Sequence, residues 1–515
     1  MRRLNQWWIL AALCLCLLMV VIDNTIVNVA LPTFARDLHS SNAGLQWIVD
    51  GYALPFAALM FAGGGAADRL GRQGDEHHAL VAFAAFSAYA SFSTSTGSLI
   101  AARALMGAAA AFIFPATLSI VTVVFTNARE RAIAFGVWGS VAGIGVALGP
   151  IAGGELITHF WYGSVFLVNV PTVALAVAAV WLIVPNSTSP AKSRFDFLGL
   201  ILGSGAVTTL TLAIIQGPSW GWASATVLVL FGVTLVLGAA FVRTELAQAE
   251  PMLDVRVFRS GAFSAGTWSL LTVTFLLTGF IFMVTQYFQL VRGYSALSAG
   301  VRTLPFAITT AITTPLGAWA ATKWGPRRVV PVGLVVMGSA IWWIGQQSPT
   351  SAYFGPVVGS MVLMSVGFSL ITAPSTAVTM SALPANQVGA GASVNETTRE
   401  VGSTLGVAIV GSVFASTFAP RIHDIFAPLV GSGLTAEQLT TAQSSMAAAL
   451  ATVGRLPAAV GGNLAPHVTS AFMASFRHGC SVVAVVAVVS ALAVVGFLPN
   501  EAQHPVDEPE AMGVK

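Results

Sequence analysis

The chain has 515 residues, of which 56% are hydrophobic and only 8% are charged. Soluble globular proteins carry about 25% charged residues because water covers their surfaces. This composition excludes an ordinary soluble domain and indicates that lipid surrounds much of the protein. The net charge of +3 is too small to indicate a nucleic-acid partner.

Apolar segments long enough to cross the ~30 Å hydrocarbon layer as helices recur along the chain. The first follows Arg2 and Arg3 and is longer than the apolar part of a signal peptide, so we interpret it as a retained helix. In chain order the predicted spans are 8–29, 45–66, 79–94, 98–125, 133–157, 165–184, 197–216, 223–241, 263–290, 299–321, 329–345, 353–383, 394–418 and 472–498. The sequence therefore predicts an all-α integral membrane protein with 14 transmembrane helices.

The distribution of basic residues predicts the orientation. An even number of spans places both termini on one side, and basic residues concentrate in cytoplasmic loops. The side of the termini carries Arg2, Arg3, Arg69, Arg72, Arg129, Arg131, Lys192, Arg194, Arg243, Arg256, Arg259, Lys323, Arg327, Arg328 and Lys515. The opposite side carries Arg36, Arg292, Arg421, Arg455 and Arg477. We therefore predict cytoplasmic termini in a multi-pass protein of the cell membrane.

An internal repeat predicts two related halves. GGGAADRLGR follows the second predicted helix, and GAWAATKWGPRR follows the tenth; aligning Gly71 with Gly325 also aligns Arg69 with Lys323. Repeated halves related by an axis along the membrane normal are a transporter architecture. The predicted divisions are an N-terminal six-helix half at 1–190, a two-helix insertion at 191–245, a C-terminal six-helix half at 246–498 and a cytoplasmic tail at 499–515.

Residues 419–471 are predicted to form a long external loop in the second half. Thr435 and Gln438 have the spacing of a capping box before an Ala-rich stretch, which predicts a short surface helix. The loop either caps an exit path or is an insertion without such a role.

The loop after the second predicted helix places an acid and two bases in a short turn. Such a turn can hold helices together on the cytoplasmic side, and breaking its charge pairs would permit the opposite conformation. The alternative is ordinary positive charge on that side of the membrane. The predicted conformational switch consists of Gly64, Asp68, Arg69, Gly71 and Arg72, with Lys323, Gly325, Arg327 and Arg328 at the repeat.

The fifth predicted helix carries a glycine–proline pattern made of Gly145, Gly149, Pro150, Gly153 and Gly154. Glycines four residues apart allow two helices to approach closely, and proline removes a backbone hydrogen bond and bends a helix. The pattern therefore predicts a site of helix contact and bending that takes part in transport. The alternative is that it serves packing alone.

Ionisable residues inside a membrane are costly, so each is a functional candidate. Asp23, Asp50 and Arg103 fall at a similar depth in the outer part of the first half. We therefore expect Arg103 to neighbour at least one of these carboxylates. A carboxylate beside arginine stays charged, whereas one without a partner in an apolar cavity favours protonation, and this switch is what proton coupling requires. A fixed structural ion pair is the alternative.

Three charged residues share a face of the thirteenth predicted helix, since Glu396, Arg399 and Glu400 are spaced i, i+3 and i+4. Two carboxylates beside one arginine leave one acid under-neutralised, able to hold a proton or meet a cationic substrate. Alternatively, Glu396 lies near the cytoplasm and is solvated. Weaker candidates for a substrate pocket, each open to a structural interpretation, are Glu155, Trp138, Phe280 and Tyr287.

The sequence offers no signature of an enzyme or of a bound cofactor. We interpret the three cysteines as apolar residues that pack within helices. The eight histidines have no metal-ligand spacing. No GxxxxGK[ST] motif occurs, so the chain is not expected to use ATP through a P-loop. No cluster of nucleophile and base stands out. We expect a proton as the coupling ion, no metal and no other cofactor.

These features together resemble the major facilitator superfamily, in particular its fourteen-helix drug:proton antiporter branch (EmrB/QacA-like transporters). The resemblance runs nearly end to end. Its most specific segments are IDNTIVNVALP at 22–32, GGGAADRLGR, LIAARALMGAAAAFIFPATLSIV at 99–121, GVALGPIAGG at 145–154, FLVNVP at 166–171, PMLDVRVFR and GAGASVNETTREVGSTLGVAIVGSVF at 389–414.

The resemblance implies export of small amphipathic, often cationic compounds in exchange for protons. It implies that Asp23 handles protons or cations and that Arg103 participates in proton transfer. It also implies that Asp68 with its basic neighbours forms the switch loop and that the glycine–proline pattern around Gly149 and Pro150 is the motif typical of antiporters in this superfamily. One departure is that Arg72 is followed by Gln73-Gly74-Asp75-Glu76 rather than by further bases. The alternatives are export of an endogenous metabolite, lipid or siderophore, and a sensor or scaffold on the same fold. The oligomeric state is not predicted.

Overall fold

The computed structural model describes residues 3–40, 42–70, 72–184, 196–248, 251, 253–383, 388–431 and 434–499. Within these ranges the chain is α-helical and contains no β-strand; Val430 and Leu434 form one isolated bridge. Long apolar helices satisfy their backbone polar groups internally, which is the condition for crossing a bilayer.

The helices before the predicted insertion share one core of buried apolar residues. They are α1 Arg3–Asp37, α2 Asn42–Leu70, α3 Arg72–Ser91, α4 Thr96–Val124, α5 Ala128–His159, α6 Ser164–Leu167 and α7 Asn169–Ile183. The sixth predicted span is thus divided at Val168 into a short helix and a longer one.

Two helices follow in the middle of the chain, α8 Phe197–Trp220 and α9 Ala225–Ala247. The remaining helices are α10 Gly261–Gln286, α11 Ala296–Val301, α12 Leu304–Trp324, α13 Pro326–Gly345, α14 Val358–Ser381, α15 Val388–Phe426, α16 Ala436–Ser444, α17 Met446–Val453 and α18 Ala458–Val494. The tenth predicted span is likewise divided, because Arg302 and Thr303 interrupt the helix between α11 and α12.

The two largest clusters of buried apolar residues are formed mainly by the helices that precede and the helices that follow α8 and α9 in the chain. One cluster extends from Ile9 to Val184, with Met380, Val388 and Ala392 added from the later helices. The other extends from Ala262 to Leu498. Helix α8 contacts α2 and α15, whereas α9 contacts α8 and the 3₁₀-helix Val255–Arg259. The two central helices therefore sit on the outside of a bundle with two cores.

Of the described helices, 11 are long and apolar enough to cross a membrane. Helices α2, α3 and α12 occupy the other predicted spans but fall outside this set. In α3 the reason lies in its polar start, RQGDEHH, which lowers the hydropathy of the whole helix.

The predicted external loop at 419–471 is shorter in the structure, because the helices on either side extend into it. Helix α15 extends to Phe426 and α18 begins at Ala458, so helical turns replace the two ends of the predicted loop. At ~1.5 Å per residue, these helices of 39 and 37 residues are longer than a ~30 Å hydrocarbon layer requires. The short surface helix is confirmed: Thr435 caps α16 in a complete capping box with Gln438.

Candidate functional site

A buried ion pair joins α1 and α4 in the first half. The Arg103 Nη1 atom donates to Asp23 Oδ2 at 2.6 Å, and the two side chains are 1% and 0% exposed. The predicted proximity of Arg103 to a carboxylate is confirmed for Asp23. A pair this deeply buried is stable only when hydrogen bonds satisfy its remaining polar atoms.

Those remaining hydrogen bonds come from an asparagine at the start of α7. Asn169 Nδ2 donates to Asp23 Oδ1 at 2.7 Å and to Ser87 Oγ at 3.0 Å, and Ser87 Oγ in turn donates to the Phe166 carbonyl at 2.9 Å. Four helices, α1, α3, α4 and α7, thus contribute to one polar cluster.

The arginine of the pair has two further contacts with α2. Its Nε atom donates to the Ile48 carbonyl at 3.4 Å, and its guanidinium carbon lies 4.2 Å from the centre of the Tyr52 ring. Arginine above an aromatic face gains electrostatic attraction in a desolvated site. Asp50 is also buried, but its Oδ2 atom has no hydrogen-bond partner among the described residues. Arg103 therefore pairs with Asp23 and not with Asp50.

Asn169 and Tyr52 were not predicted as site residues. The signal for Asn169 was present, because it is the polar residue of FLVNVP within an otherwise apolar segment. A tyrosine inside an apolar helix gives no comparable signal, since aromatic residues are common in transmembrane segments.

The glycine pattern of α5 packs against α1 beside the ion pair. A Cβ atom on Gly145 would meet Val21, and one on Gly149 would meet the Thr25 hydroxyl. These contacts lie two residues before and two residues after Asp23. The predicted close approach of two helices is confirmed, and it fixes the segment of α1 that carries the acid.

The other residues of the glycine pattern contact different elements. Gly153 packs against Ile26 of α1, whereas Gly154 faces Leu297 of α11. Pro150 lies against Gly300, also in α11. Helix α5 therefore touches α1 with one face and the second half of the fold with another.

Helices α2 and α15 meet closely at the end where α2 terminates. A Cβ atom on Gly64 would meet the Ser393 hydroxyl and the Gly389 carbonyl, so a side chain does not fit there. Ser393 Oγ donates to the Met60 carbonyl at 2.8 Å, which joins the two halves directly. Of the other predicted switch residues before α3, Gly71 and the side chains of Asp68, Arg69 and Arg72 lie outside the described residues.

The corresponding turn of the second half, between α12 and α13, is described completely. Gly325 has a φ of 80°, a conformation that glycine adopts without strain, and it separates the two helices. Arg327 Nε donates to the Val495 carbonyl at the end of α18 at 2.9 Å. Lys323 lies 5.1 Å from the Trp319 ring, and Arg328 is exposed.

The charged residues of α15 form a second buried cluster. Arg399 Nε donates to Asn395 Oδ1 at 3.0 Å, and its Nη2 atom donates to the Thr376 hydroxyl at 2.8 Å. Glu396 Oε1 lies 3.5 Å from Arg399 Nε but forms no hydrogen bond among the described residues. Glu396 is 4% exposed, which excludes the alternative that it is solvated.

Arg399 also faces the first half of the fold. Its guanidinium carbon lies 5.8 Å from the Trp138 ring of α5, and Trp138 Nε1 donates to the Thr117 hydroxyl at 3.2 Å. Glu400 forms no ion pair in the described part of the chain. Among the described residues, Arg399 therefore lies within ion-pair distance of Glu396 only, and its hydrogen bonds go to the neutral Asn395 and Thr376.

Three weaker candidates are placed away from this cluster. Phe280 and Tyr287 are buried in the core of the second half, where Tyr287 stacks on Phe476 and donates to the Ser348 carbonyl. Glu155 is exposed near the end of α5 and lies 3.4 Å from His159 Nδ1. Phe280 and Tyr287 are thus packed inside the second half, whereas Glu155 lies at the surface.

Comparison with known proteins shows similarity to transporters along nearly the whole chain. The Major Facilitator Superfamily profile matches residues 13–407. The multidrug efflux pump LfrA of Mycolicibacterium smegmatis is 35% identical over 494 residues, which are 96% of each chain. The tetracenomycin C resistance and export protein of Streptomyces glaucescens is 30% identical over 95% of this chain and 91% of its own length.

Solved structures with the same fold are more distant in sequence. The human organic anion transporter MFSD10 superposes with a TM-score of 0.60 at 14% identity, covering 95% of this chain and 99% of its own. The proton:xylose symporter XylE superposes with a TM-score of 0.61 at 12% identity, covering 98% of both chains. At this identity the comparison establishes the fold alone.

Proposed function

Because the chain belongs to the major facilitator superfamily, a family of membrane transporters, we propose that it exports small amphipathic, often cationic compounds in exchange for protons. The observation that carries this proposal is the buried Asp23–Arg103 pair with its Asn169 hydrogen bond. The names of its relatives support the substrate class, since they include a multidrug efflux pump and an antibiotic export protein.

Proton coupling follows from the competition between a proton and a guanidinium for Asp23. In the described arrangement both oxygens of the carboxylate accept charged or amide N–H donors, and water is excluded. A proton on Asp23 removes the negative charge that holds Arg103. Because the two side chains are carried by α1 and α4, their separation requires these helices to move relative to each other. Proton binding and conformational change are thereby linked.

The α5 glycines transmit this change to the rest of the protein. The residues on either side of Asp23, Val21 and Thr25, press directly against Gly145 and Gly149. A shift of α1 therefore displaces α5, and α5 packs along α12 of the other half. We assign the glycine pattern the role of coupling the acid to the opening and closing of the two halves.

The α15 cluster is the proposed site for a cationic substrate. Arg399 is held by Asn395 and Thr376, and this leaves Glu396 and Glu400 incompletely neutralised. A flat cation can stack on Trp138 and pair with one of these acids. When no substrate is bound, a proton neutralises the same carboxylates, so proton and substrate alternate at one site.

We further propose 14 spans with cytoplasmic termini, divided at the boundaries predicted from the repeat. The excess of basic residues on the side of the termini supports this orientation. The switch role of Asp68, Arg69 and Arg72 rests on their place in the sequence, and the close contact of Gly64 with α15 supports it. Breaking that contact would open the side on which α2 ends.

The proton gradient is sufficient for useful export. A proton entering across ~100 mV with one favourable pH unit releases roughly 2.3 plus 1.4 kcal/mol. This sustains an approximately 500-fold gradient of a neutral substrate for each proton exchanged.

The test is ethidium transport by the full chain in proteoliposomes with an imposed pH gradient, compared with Asp23→Asn. We expect gradient-driven accumulation to be lost and gradient-independent exchange to persist, because substrate binding does not need Asp23. Asp37→Asn is the matched control, since Asp37 is an exposed acid at the end of the same helix. Accumulation that survives in Asp23→Asn would refute the assigned role of Asp23. No transport by the unaltered chain would refute the substrate class and favour an endogenous substrate.

A further inference from the structure

The face of α9 that points away from the bundle forms one wall of a groove. Among the described elements, α9 contacts only α8 and the 3₁₀-helix Val255–Arg259 with more than isolated contacts. In the most apolar stretch of α9 only 11% of the residues are buried, whereas in that of α4 the share is 67%. Most of α9 therefore faces the surroundings, which for a transmembrane helix are lipid.

The groove between α8 and α9 has a volume of about 860 Å³ and is open along one side. Its α9 wall is formed by Leu235, Gly238, Val242 and Leu246, which share a helical face. At Gly238 no side chain fills the groove, and no other atom lies within 4 Å of the position that a Cβ would occupy there. These residues extend roughly 16 Å along the helix, about the thickness of one leaflet of the ~30 Å hydrocarbon layer.

The two ends of the groove differ in polarity. At the end of the groove farthest from Arg243, Thr234 also lines the groove. Its hydroxyl oxygen is 2.8 Å from that of Thr209, so the two hydroxyl groups are hydrogen-bonded to each other. At the other end Arg243 lines the groove, is exposed and has no ion-pair or side-chain hydrogen-bond partner in the described chain. The groove thus begins at a cation and continues into apolar surface.

A second cation lies beside that end. Arg256 Nη2 donates to the carbonyl of Leu246, a groove residue, at 3.2 Å. Its Nη1 atom is 3.7 Å from Asp254 Oδ1, and none of the described residues that line the groove is an acid. Glu245 is buried and accepts from the Leu253 amide, so it lies on the inner face of α9. The groove end therefore carries an excess of positive charge.

We infer that this groove binds an anionic phospholipid, with an acyl chain along α9 and the phosphate group beside Arg243. Basic residues at the end of an intramembrane groove are suited to anionic headgroups, and the groove matches the chain of one leaflet in length. A zwitterionic lipid binds less well, because its choline cation is repelled by the Arg243 guanidinium. The inference is independent of the proposed transport activity, since the groove shares no residue with Asp23, Arg103 or the α15 cluster.

The experiment is native mass spectrometry of the purified full chain titrated with phosphatidylglycerol and with phosphatidylcholine of the same acyl chains. We expect preference for phosphatidylglycerol and an approximately fivefold loss of its affinity in Arg243→Gln, the effect of one cation near the headgroup. Gly238→Leu fills the groove and should weaken both lipids, while inorganic phosphate alone should not bind. Arg129→Gln removes an exposed arginine at the start of α5 and serves as the control.

Equal affinity for the two lipids, or unchanged affinity in Arg243→Gln, would overturn the inference. Binding of a second copy of the chain in the groove would also overturn it; the mass of a dimer lost in Gly238→Leu would reveal that outcome. Thermal unfolding of each variant without added lipid establishes that the protein is folded, so a lost lipid is not mistaken for a lost structure.

Discussion

Replacing Asp23 by asparagine should destabilise the protein as well as uncouple it. Asp23 accepts from Arg103 at 2.6 Å and from Asn169 at 2.7 Å, and both members of the ion pair are at most 1% exposed. Asparagine preserves the shape but leaves the guanidinium buried without a counterion. Removing one partner of a buried pair costs about 3–5 kcal/mol.

A double-mutant cycle distinguishes the free energy lost with the ion pair from unspecific destabilisation of the protein. Arg103→Gln in the Asp23→Asn background removes the uncompensated charge, so the double variant should be about 1–3 kcal/mol more stable than the sum of the single changes predicts. Asp37→Asn removes an acid from the exposed pair with Arg36 on the same helix, and this should cost less than about 1 kcal/mol.

The assay is denaturant unfolding of the four purified proteins in one detergent, followed by tryptophan fluorescence. Transport in proteoliposomes is measured in parallel, and we expect no gradient-driven accumulation in either single variant or in the double variant. Stability restored without transport would separate the structural and coupling roles of the pair. Additive free energies of unfolding, or an Asp23→Asn protein as stable as the unaltered chain, would refute the reasoning.

Three further substitutions test the remaining contacts. Gly149→Ala places a methyl group against the threonine of α1 and should cost about 1–3 kcal/mol of unfolding free energy, whereas Gly154→Ala, with ordinary contact distances, should have little effect on thermal unfolding. Gly64→Ala should slow transport by separating α2 from α15, while Gly74→Ala, which has open space, should leave the initial rate unchanged. Glu396→Gln should raise the half-saturating concentration of ethidium roughly tenfold, about 1.4 kcal/mol, but change that of a neutral substrate little. Equal effects of a glycine substitution and its control, or equal shifts for ethidium and the neutral substrate in Glu396→Gln, would contradict the assigned contacts.

Much of the site followed from position along the sequence. A helix rises ~1.5 Å per residue, so the distance of a residue from the end of an apolar segment gives its depth. That argument placed Asp23, Asp50 and Arg103 at one level, and glycine spacing correctly predicted the close packing of α5. The roles of these residues in coupling remain proposals.

Depth does not determine the direction in which a side chain points or which helix lies opposite. The sequence therefore left open which acid pairs with Arg103, and only packing brought Asp23 to Arg103 and Asn169 to Asp23. In the same way, the spacing of the α15 residues predicted a shared face but not that Arg399 bonds to Thr376 of α14.

The sequence by itself determined the helical membrane fold, the repeat and the cost of burying its few charges, because these depend on composition and local periodicity. The tertiary structure decided the partners. It placed Phe280 and Tyr287 in a packed core and extended α15 and α18 into the two ends of the predicted loop. Those outcomes depend on contacts between segments distant in the chain, and local periodicity carries no information about such contacts.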